Sequence, residues 1–370
     1  MKNLFEDLMN LCTITESFYF VDHEFVGRKY RVFTYRLASF TDFQHKNALE
    51  CRGHTFEYIN GNWRLVSLPM NKFFNYDEHI GWGQEIDLSG NIMIMDKLDG
   101  SLISTVYNGK YIVPRWKSKT SFTSKQAQDA AHWFTFNADR KMRDSVVELS
   151  TAGYTVNFEW TAPDNTIVIG YNEPKLTVIN ARNMNDGSYL PYNELLYLFG
   201  EDNLVRIHDI PNDPYKFLED SRSLTGIEGY VIQTASGLLV KMKTEAYCSL
   251  HRLRESVTND RRLFETCVNE ASDDARALFV HDKVIVDRIV KMEEKVSNIF
   301  NHIHKSVYDF YNKNKHLDRK SYAILGQEKL NSDGIFSLAM NLYLGKECDI
   351  KSFMIKNYKK YGIKDEEQSE

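Results

Sequence analysis

NIMIMDKLDGSLISTVYNGKYIVP, residues 91–114, is the stretch whose reading decides the fold. An apolar run, Ile92-Met93-Ile94-Met95, leads into Lys97-Leu98-Asp99-Gly100-Ser101. A second alternating run leads into Asn108-Gly109 and then a third. Alternation at a period of two marks strands with one face buried. Asp-Gly and Asn-Gly between such runs are hairpin signals, because a tight two-residue turn needs positive φ at both residues. The stretch therefore predicts strands folded back at Asp99-Gly100 and at Asn108-Gly109.

The same texture extends to both sides. KYRVFTYRL (29–37), HTFEYINGNWRLVSL (54–68, with a hairpin at Asn60-Gly61), YTVNFEW (154–160), NTIVIGY (165–171), KLTVINA (175–181) and GYVIQTASGLLVKMK (229–243) all read as β-like runs. A helical stretch over 123–149 interrupts them. The opening MKNLFEDLMNLC reads as an acidic amphipathic helix rather than a signal peptide. Beyond about residue 250 the pattern becomes helical. Over 283–313, Ile289, Met292, Val296, Ile299, Ile303, Val307 and Phe310 recur three or four apart, which is one apolar helix face. Segments within 321–344 also read as helical, and the tail IKDEEQSE as frayed. The expectation is an α+β protein: a body of antiparallel sheets with flanking helices over 1–253, then an all-α module over 254–370.

Bulk properties limit the function. A net charge of −5 excludes a wholly basic nucleic-acid coat, so a polyanion site has to be a local basic cleft on an acidic body. Aromatics make up 13% of the chain, which suits base stacking as well as ordinary cores. The cysteines Cys12, Cys51, Cys248, Cys267 and Cys348 are scattered without a CxxC pair, which supports neither a disulfide framework nor a zinc site and fits a reducing compartment. No apolar run reaches membrane-span length, and no Gly-x-x-x-x-Gly-Lys-Ser/Thr loop is present. His302 and His304 stand two apart on a helix, so they face different sides and make a poor metal pair. The reading is a cytosolic, monomeric protein without a membrane partner.

Lys97-x-Asp99-Gly100 alone is a weak signal, expected by chance in roughly one chain of this length in ten. A plain hairpin with a solvated lysine beside it is the favoured reading of that motif alone. Other segments add weight. Ile227-Glu228-Gly229-Tyr230 opens a strand, and Val240-Lys241-Met242-Lys243 closes the hairpin that follows. Residues two apart on a strand share a face, so Lys241 and Lys243 project together, either toward a polyanion or as guards of an exposed edge. Glu50-Cys51-Arg52-Gly53 lies upstream, and Asn157-Phe158-Glu159-Trp160 lies between. KYIVPRWKSKTSF (110–122) interleaves Lys110, Arg115, Lys117 and Lys119 with aromatics, which suits phosphates and a stacked base or a solvated β-face.

In order, FTYRLASF, ALECRG, MNKFFN, KLDGSLIST, KSK, NFEW, IEGY, KMKTEAY and ASDD resemble the T-even phage RNA ligase 1 family of the covalent nucleotidyltransferase superfamily, over nearly the whole chain. The resemblance implies an ATP-grasp-like nucleotidyltransferase domain followed by a helical domain linked to tRNA recognition. It also implies an ATP-dependent RNA ligase that repairs tRNA cut in the anticodon loop, in the host cytosol if the source is a phage. Lys97 would be the nucleophile that becomes lysyl-AMP. Tyr35, Arg52, Lys72, Phe74, Asp99 and Gly100 would form the nucleotide pocket, with Phe74 on adenine. Glu159 would bind the ribose, and Lys119, Lys241 and Lys243 the phosphates. Tyr247 would serve ligation. Glu228 and Asp273 would hold Mg²⁺ or Mn²⁺, although Ser272-Asp273 also reads as a helix N-cap. Leu98 and Ala246 depart from the family pattern, replacing an acidic and an aromatic residue. The competing readings are a DNA ligase or capping enzyme of the same superfamily, and a catalytically dead RNA-binding protein.

These residue types suit the chemistry. A free lysine has a pKa of about 10.4, so only on the order of one in 10³ is neutral at pH 7. Moving that pKa by about 3 units requires roughly 4 kcal/mol of differential environment. Burial and neighbouring cations act in that direction. Carboxylates are hard ligands suited to Mg²⁺ or Mn²⁺.

Overall fold

The computed structural model describes residues 3–36, 38–110, 114–279 and 282–364. The chain divides into two compact units, Met1–Ser249 and Leu250–Glu370, and the division falls within the helix Glu245–Thr258.

The first unit contains three sheets. β1 (Phe18–Phe25), β2 (Arg28–Tyr35), β3 (His54–Ile59) and β4 (Asn62–Ser67) form an antiparallel meander, with Asn60-Gly61 closing β3 on β4. The opening helix Leu4–Ile14 buries Leu4, Leu8 and Leu11 against it. A five-stranded sheet takes the order β11 (Ile207–His208), β6 (Met93–Lys97), β12 (Gly229–Gln233), β13 (Leu239–Lys243), β5 (Phe74–Asn75). A third sheet takes the order β10 (Lys175–Asn183), β9 (Tyr154–Thr161), β7 (Ser101–Val106), β8 (Arg115–Lys117). Helices Lys125–Phe136 and Arg140–Thr151 cover the third sheet through Ala130, Phe134, Met142 and Val146.

Two sequence expectations fail here. Asp99-Gly100 closes no hairpin, because β6 and β7 belong to different sheets. Gly100 is required by close approach, since a Cβ there would run into the Trp160 carbonyl oxygen of β9. NTIVIGY (165–171) is a loop rather than a strand. Its amides at Val168 and Ile169 donate to the Asp99 carboxylate at 2.7 and 2.6 Å, so Asp99 supplies the acceptors that a neighbouring strand would otherwise provide. Asn108-Gly109 does lie between paired strands, β7 and β8, although the connection includes residues 111–113 outside the described set. β13 is not an exposed edge, because β5 pairs with it in parallel.

The second unit is helical among its described residues. Its long helix Lys283–Asn314 buries Ile285, Ile289, Met292, Val296, Ile303, Val307 and Phe310, the expected stripe with Ile299 at its margin. Helices Asp260–Val268, Arg319–Leu330, Phe336–Tyr343 and Ile350–Lys356 pack around it. Residues 365–370 of the expected frayed tail lie outside the described set. Among the described residues no helix is long and apolar enough to cross a membrane.

Candidate active site

Strand register puts the basic residues in a row. Lys97 ends β6 opposite Gly229 of β12, and Gly229 lies opposite Lys243 of β13. Gly229 has φ 145°, and a Cβ there would strike the Met242 carbonyl oxygen. The close approach brings the residue before it, Glu228, between the two lysines. One Glu228 oxygen lies 2.8 Å from Lys97 Nζ and the other 2.9 Å from Lys243 Nζ. The Glu228 side chain is 3% exposed, against 21% and 25% for the two lysines. A carboxylate so enclosed needs both partners, because a buried unpaired charge costs several kcal/mol. Lys241 shares the face of Lys243, as the spacing requires. Burial, together with the charges of Lys72, Lys97 and Lys243, lowers its pKa to about 7.

The third sheet contributes Glu159 from β9. Its Oε1 accepts the Gly100 N–H at 3.1 Å. Burial raises its pKa to about 7 against the opposing pull of Lys97, and Glu228 adds a like charge nearby. Asp99 is 2% exposed, and both of its oxygens are engaged by protein donors: the two loop amides on Oδ2 and the Tyr247 hydroxyl on Oδ1 at 2.7 Å. Asp99 thus holds the framework of the turn, where a nucleotide contact was expected. Tyr247 lies under Lys243, whose Nζ is 4.7 Å from its ring centre. Burial and the Glu228 charge push its phenol pKa far up.

A second group of cations surrounds Tyr35. Lys119 Nζ lies 4.4 Å and Lys72 Nζ 5.4 Å from its ring centre. Burial raises the Tyr35 pKa, but Lys72, Arg52 and Lys119 outweigh it and leave the phenol below its usual value. Burial, with Arg52 and Lys72, in turn lowers the Lys119 pKa. Lys72 also lies over Phe74, 4.9 Å from its centre. Phe74 is 8% exposed and packs edge-on against Phe40, Phe43, His79 and Trp82. The ring is thus enclosed by aromatic neighbours, with the Lys72 ammonium over it.

The structure corrects the reading of Lys117 and Arg115 and adds Arg182, which that reading missed. Lys117 is fully buried, and its Nζ donates to the Ser118 and Lys119 carbonyls at 3.2 and 3.3 Å. Burial and the Arg52 charge lower its pKa to about 7. Arg115 instead donates to Tyr30 Oη and the Phe25 carbonyl, so neither residue lies on a solvated face. Arg182 grips Glu50 with two hydrogen bonds at 2.6 and 2.7 Å and donates to the Pro69 carbonyl, which fixes the turn carrying Arg52. No local pattern links Glu50 to a residue 132 positions away.

Asp273 belongs to the second unit, where it is exposed on the helix Ser272–Leu278. Neither it nor Ser272 is the N-cap; Ala271 occupies that position, and Ser272 donates to Glu293. Among the described residues no group of three or more His, Cys, Asp or Glu side chains gathers to bind a metal. Within the first unit, Glu228, whose charge helps raise the pKa of nearby Glu159, is a hard oxygen donor of the kind that holds Mg²⁺ or Mn²⁺ jointly with substrate phosphates.

Residues 50–247 match the family described as RNA ligase, and residues 254–365 the family described as T4 RNA ligase 1, C-terminal domain. A protein of Thermovibrio ammonificans described as a candidate RNA ligase is 27% identical over 263 residues, 68% of this chain and 66% of its own. RNA ligase 1 of bacteriophage TS2126 is 26% identical over 251 residues, 65% of this chain and 60% of its own. The chain thus spans 66% and 60% of the length of these two relatives, less than two thirds of each. Among solved structures, a Naegleria gruberi RNA ligase aligns with a TM-score of 0.40 and 13% identity over 50% of this chain and 60% of its own.

Proposed function

Because the chain belongs to the T4 RNA ligase 1 family, we propose that it is an ATP-dependent RNA ligase joining 5′-phosphate to 3′-hydroxyl ends through a lysyl-AMP intermediate. The observation that carries this reading is the Glu228 carboxylate set between Lys97 and Lys243, with Lys241, Lys72, Lys119 and Arg52 nearby. Such a concentration of cations inside a protein of net charge −5 suits a bound triphosphate.

Glu228 holds the Lys97 ammonium in position until a nucleotide arrives. After losing its proton, Lys97 Nζ bonds to the α-phosphorus while the bond to the departing pyrophosphate breaks. Lys241 and Lys243 neutralise charge on the phosphates, and Arg52, Lys72 and Lys119 orient the nucleotide; catalysis is mostly placement and fixed charge. Glu228 would hold Mg²⁺ or Mn²⁺ together with phosphate oxygens, and the ion supplies further charge neutralisation when bound. AMP then passes to an RNA 5′-phosphate, and a 3′-hydroxyl displaces it. We assign adenylyl transfer to residues 1–253 and RNA choice, with nicked tRNA as the substrate, to 254–370. The enzyme acts as a monomer in the cytosol. Asp273 is assigned to metal association, so Asp273→Asn should raise the Mg²⁺ concentration needed for half-maximal sealing.

The test is incubation with labelled ATP and Mg²⁺, followed by an RNA-end chase, with Lys97→Ala as the control. Labelling by GTP, or sealing of DNA nicks alone, overturns the assignment. No acid-labile adduct, with RNA still bound by Lys97→Ala, identifies a catalytically dead RNA-binding protein. Removal of residues beyond 253 should cost more activity on nicked tRNA than on plain RNA; equal loss overturns the tRNA role.

A further inference from the structure

Two consecutive amides of the Lys97 turn hold side chains that come from β9 and from the loop after it. The Asp99 N–H donates to Tyr171 Oη at 2.9 Å, and the Gly100 N–H donates to Glu159 Oε1 at 3.1 Å. Neighbouring residues stand only about 3.8 Å apart along the chain, so a phenol and a carboxyl are anchored side by side. The loop carrying Tyr171 is tied at several points. Asn165 Nδ2 donates to the Trp160 carbonyl at 2.9 Å, and the Val168 and Ile169 amides donate to Asp99. Tyr171 is therefore fixed in place, and it remains half-buried.

Because the Tyr171 oxygen accepts from an amide, its own proton remains to be donated. Among the described residues it has no acceptor. Burial and the nearby charges of Asp99, Glu159 and Glu228 keep that proton on, with the pKa at about 12. A donor next to a carboxylate acceptor matches a group that both accepts and donates, which a hydroxyl does and a phosphate does not. A phosphate there would also meet three carboxylates of its own sign.

We propose that Tyr171 is a further nucleotide-contacting residue that, paired with Glu159, recognises a ribose hydroxyl, the hydroxyl oxygen accepting from Tyr171 and its proton going to Glu159. This deepens the ligase reading and rests on it. A site built to satisfy a hydroxyl rejects the analogue that lacks it, because its polar groups are left unpaired. The pair thus selects a nucleotide that carries the contacted hydroxyl over one that lacks it.

The experiment measures lysyl-AMP formation in a single turnover against the concentration of ATP, 2′-deoxy-ATP and 3′-deoxy-ATP, for the natural protein and for Tyr171→Phe. Thermal melting checks that the variant is folded. With ATP, Tyr171→Phe should raise the half-saturating concentration about fivefold, the equivalent of one neutral hydrogen bond, with the maximal rate little changed. With the analogue lacking the contacted hydroxyl, the two proteins should half-saturate together, as a double-mutant cycle requires. Equal half-saturation of both proteins by ATP overturns the proposal. So does the same penalty with all three nucleotides, which would mean that Tyr171 acts only through the Asp99 amide. Absence of any adduct on the natural protein is a separate result, and it overturns the ligase reading itself.

Discussion

In the Leu250–Glu370 unit the core is made of side chains such as Val257, Phe264, Ile289, Val307 and Tyr322, and charges form partly exposed pairs such as Arg276–Glu293 and Lys351–Glu270. Among the described residues Ser272 is its one buried polar or charged side chain. The Met1–Ser249 unit has apolar cores too, yet it also encloses Lys117, Asp99, Arg182 and Glu228. Enclosing charge is costly unless each group is paired, and Asp99 and Glu228 are enclosed beside the end of β6 that carries Lys97. The difference separates a unit whose stability follows its apolar packing from one whose buried contacts also set reactivity.

The strongest way to break this contrast is Lys97→Ala. It should lower adduct formation by at least about 10³-fold, since no other side chain replaces the nucleophile. Joining of RNA supplied with an adenylylated 5′ end should survive within about tenfold, as read on a gel. Loss of both steps together would mean that Lys97 chiefly supports the fold. In the second unit, Ile289→Ala should cost about 2–4 kcal/mol in a urea titration while the rate of adduct formation stays unchanged.

Tyr247→Phe lies between these extremes. It removes one donor from the buried Asp99 carboxylate and should cost about 1–2 kcal/mol. Because its phenol pKa is pushed far up, that cost should be the same at pH 6 and pH 8. A further, pH-dependent effect concerns Lys117, whose pKa falls from 10.5 unfolded to about 7 folded. The stability tied to its neutral form is full above 10.5 and is lost as pH falls through 7. Lys117→Met removes the buried charge, so its melting temperature relative to the natural protein should be highest below pH 7 and should decline between pH 7 and 10. A flat difference would show that Lys117 is solvated.

Much of the site was legible because strand and helix periods are local. Lys241 and Lys243 share a face as their spacing demands, and the stripe from Ile289 to Phe310 is the buried face of one helix. Asp99-Gly100 misled because a turn signal reports how easily the chain bends, not which strand the next segment joins. NTIVIGY misled because its apolar residues lie on a loop whose amides bind a side chain.

By itself the sequence determined the succession of strands and helices, the same-face lysines of β13 and the motif set that places the chain in its family. Only the tertiary structure decided that Glu228 lies between Lys97 and Lys243, that Asp99 serves the framework, that Lys117 is enclosed and that Arg182 grips Glu50. The physical reason is range. Backbone periodicity is set within a few residues, whereas pairing of buried charge depends on which distant strands meet, and its strength depends on the water that their meeting excludes.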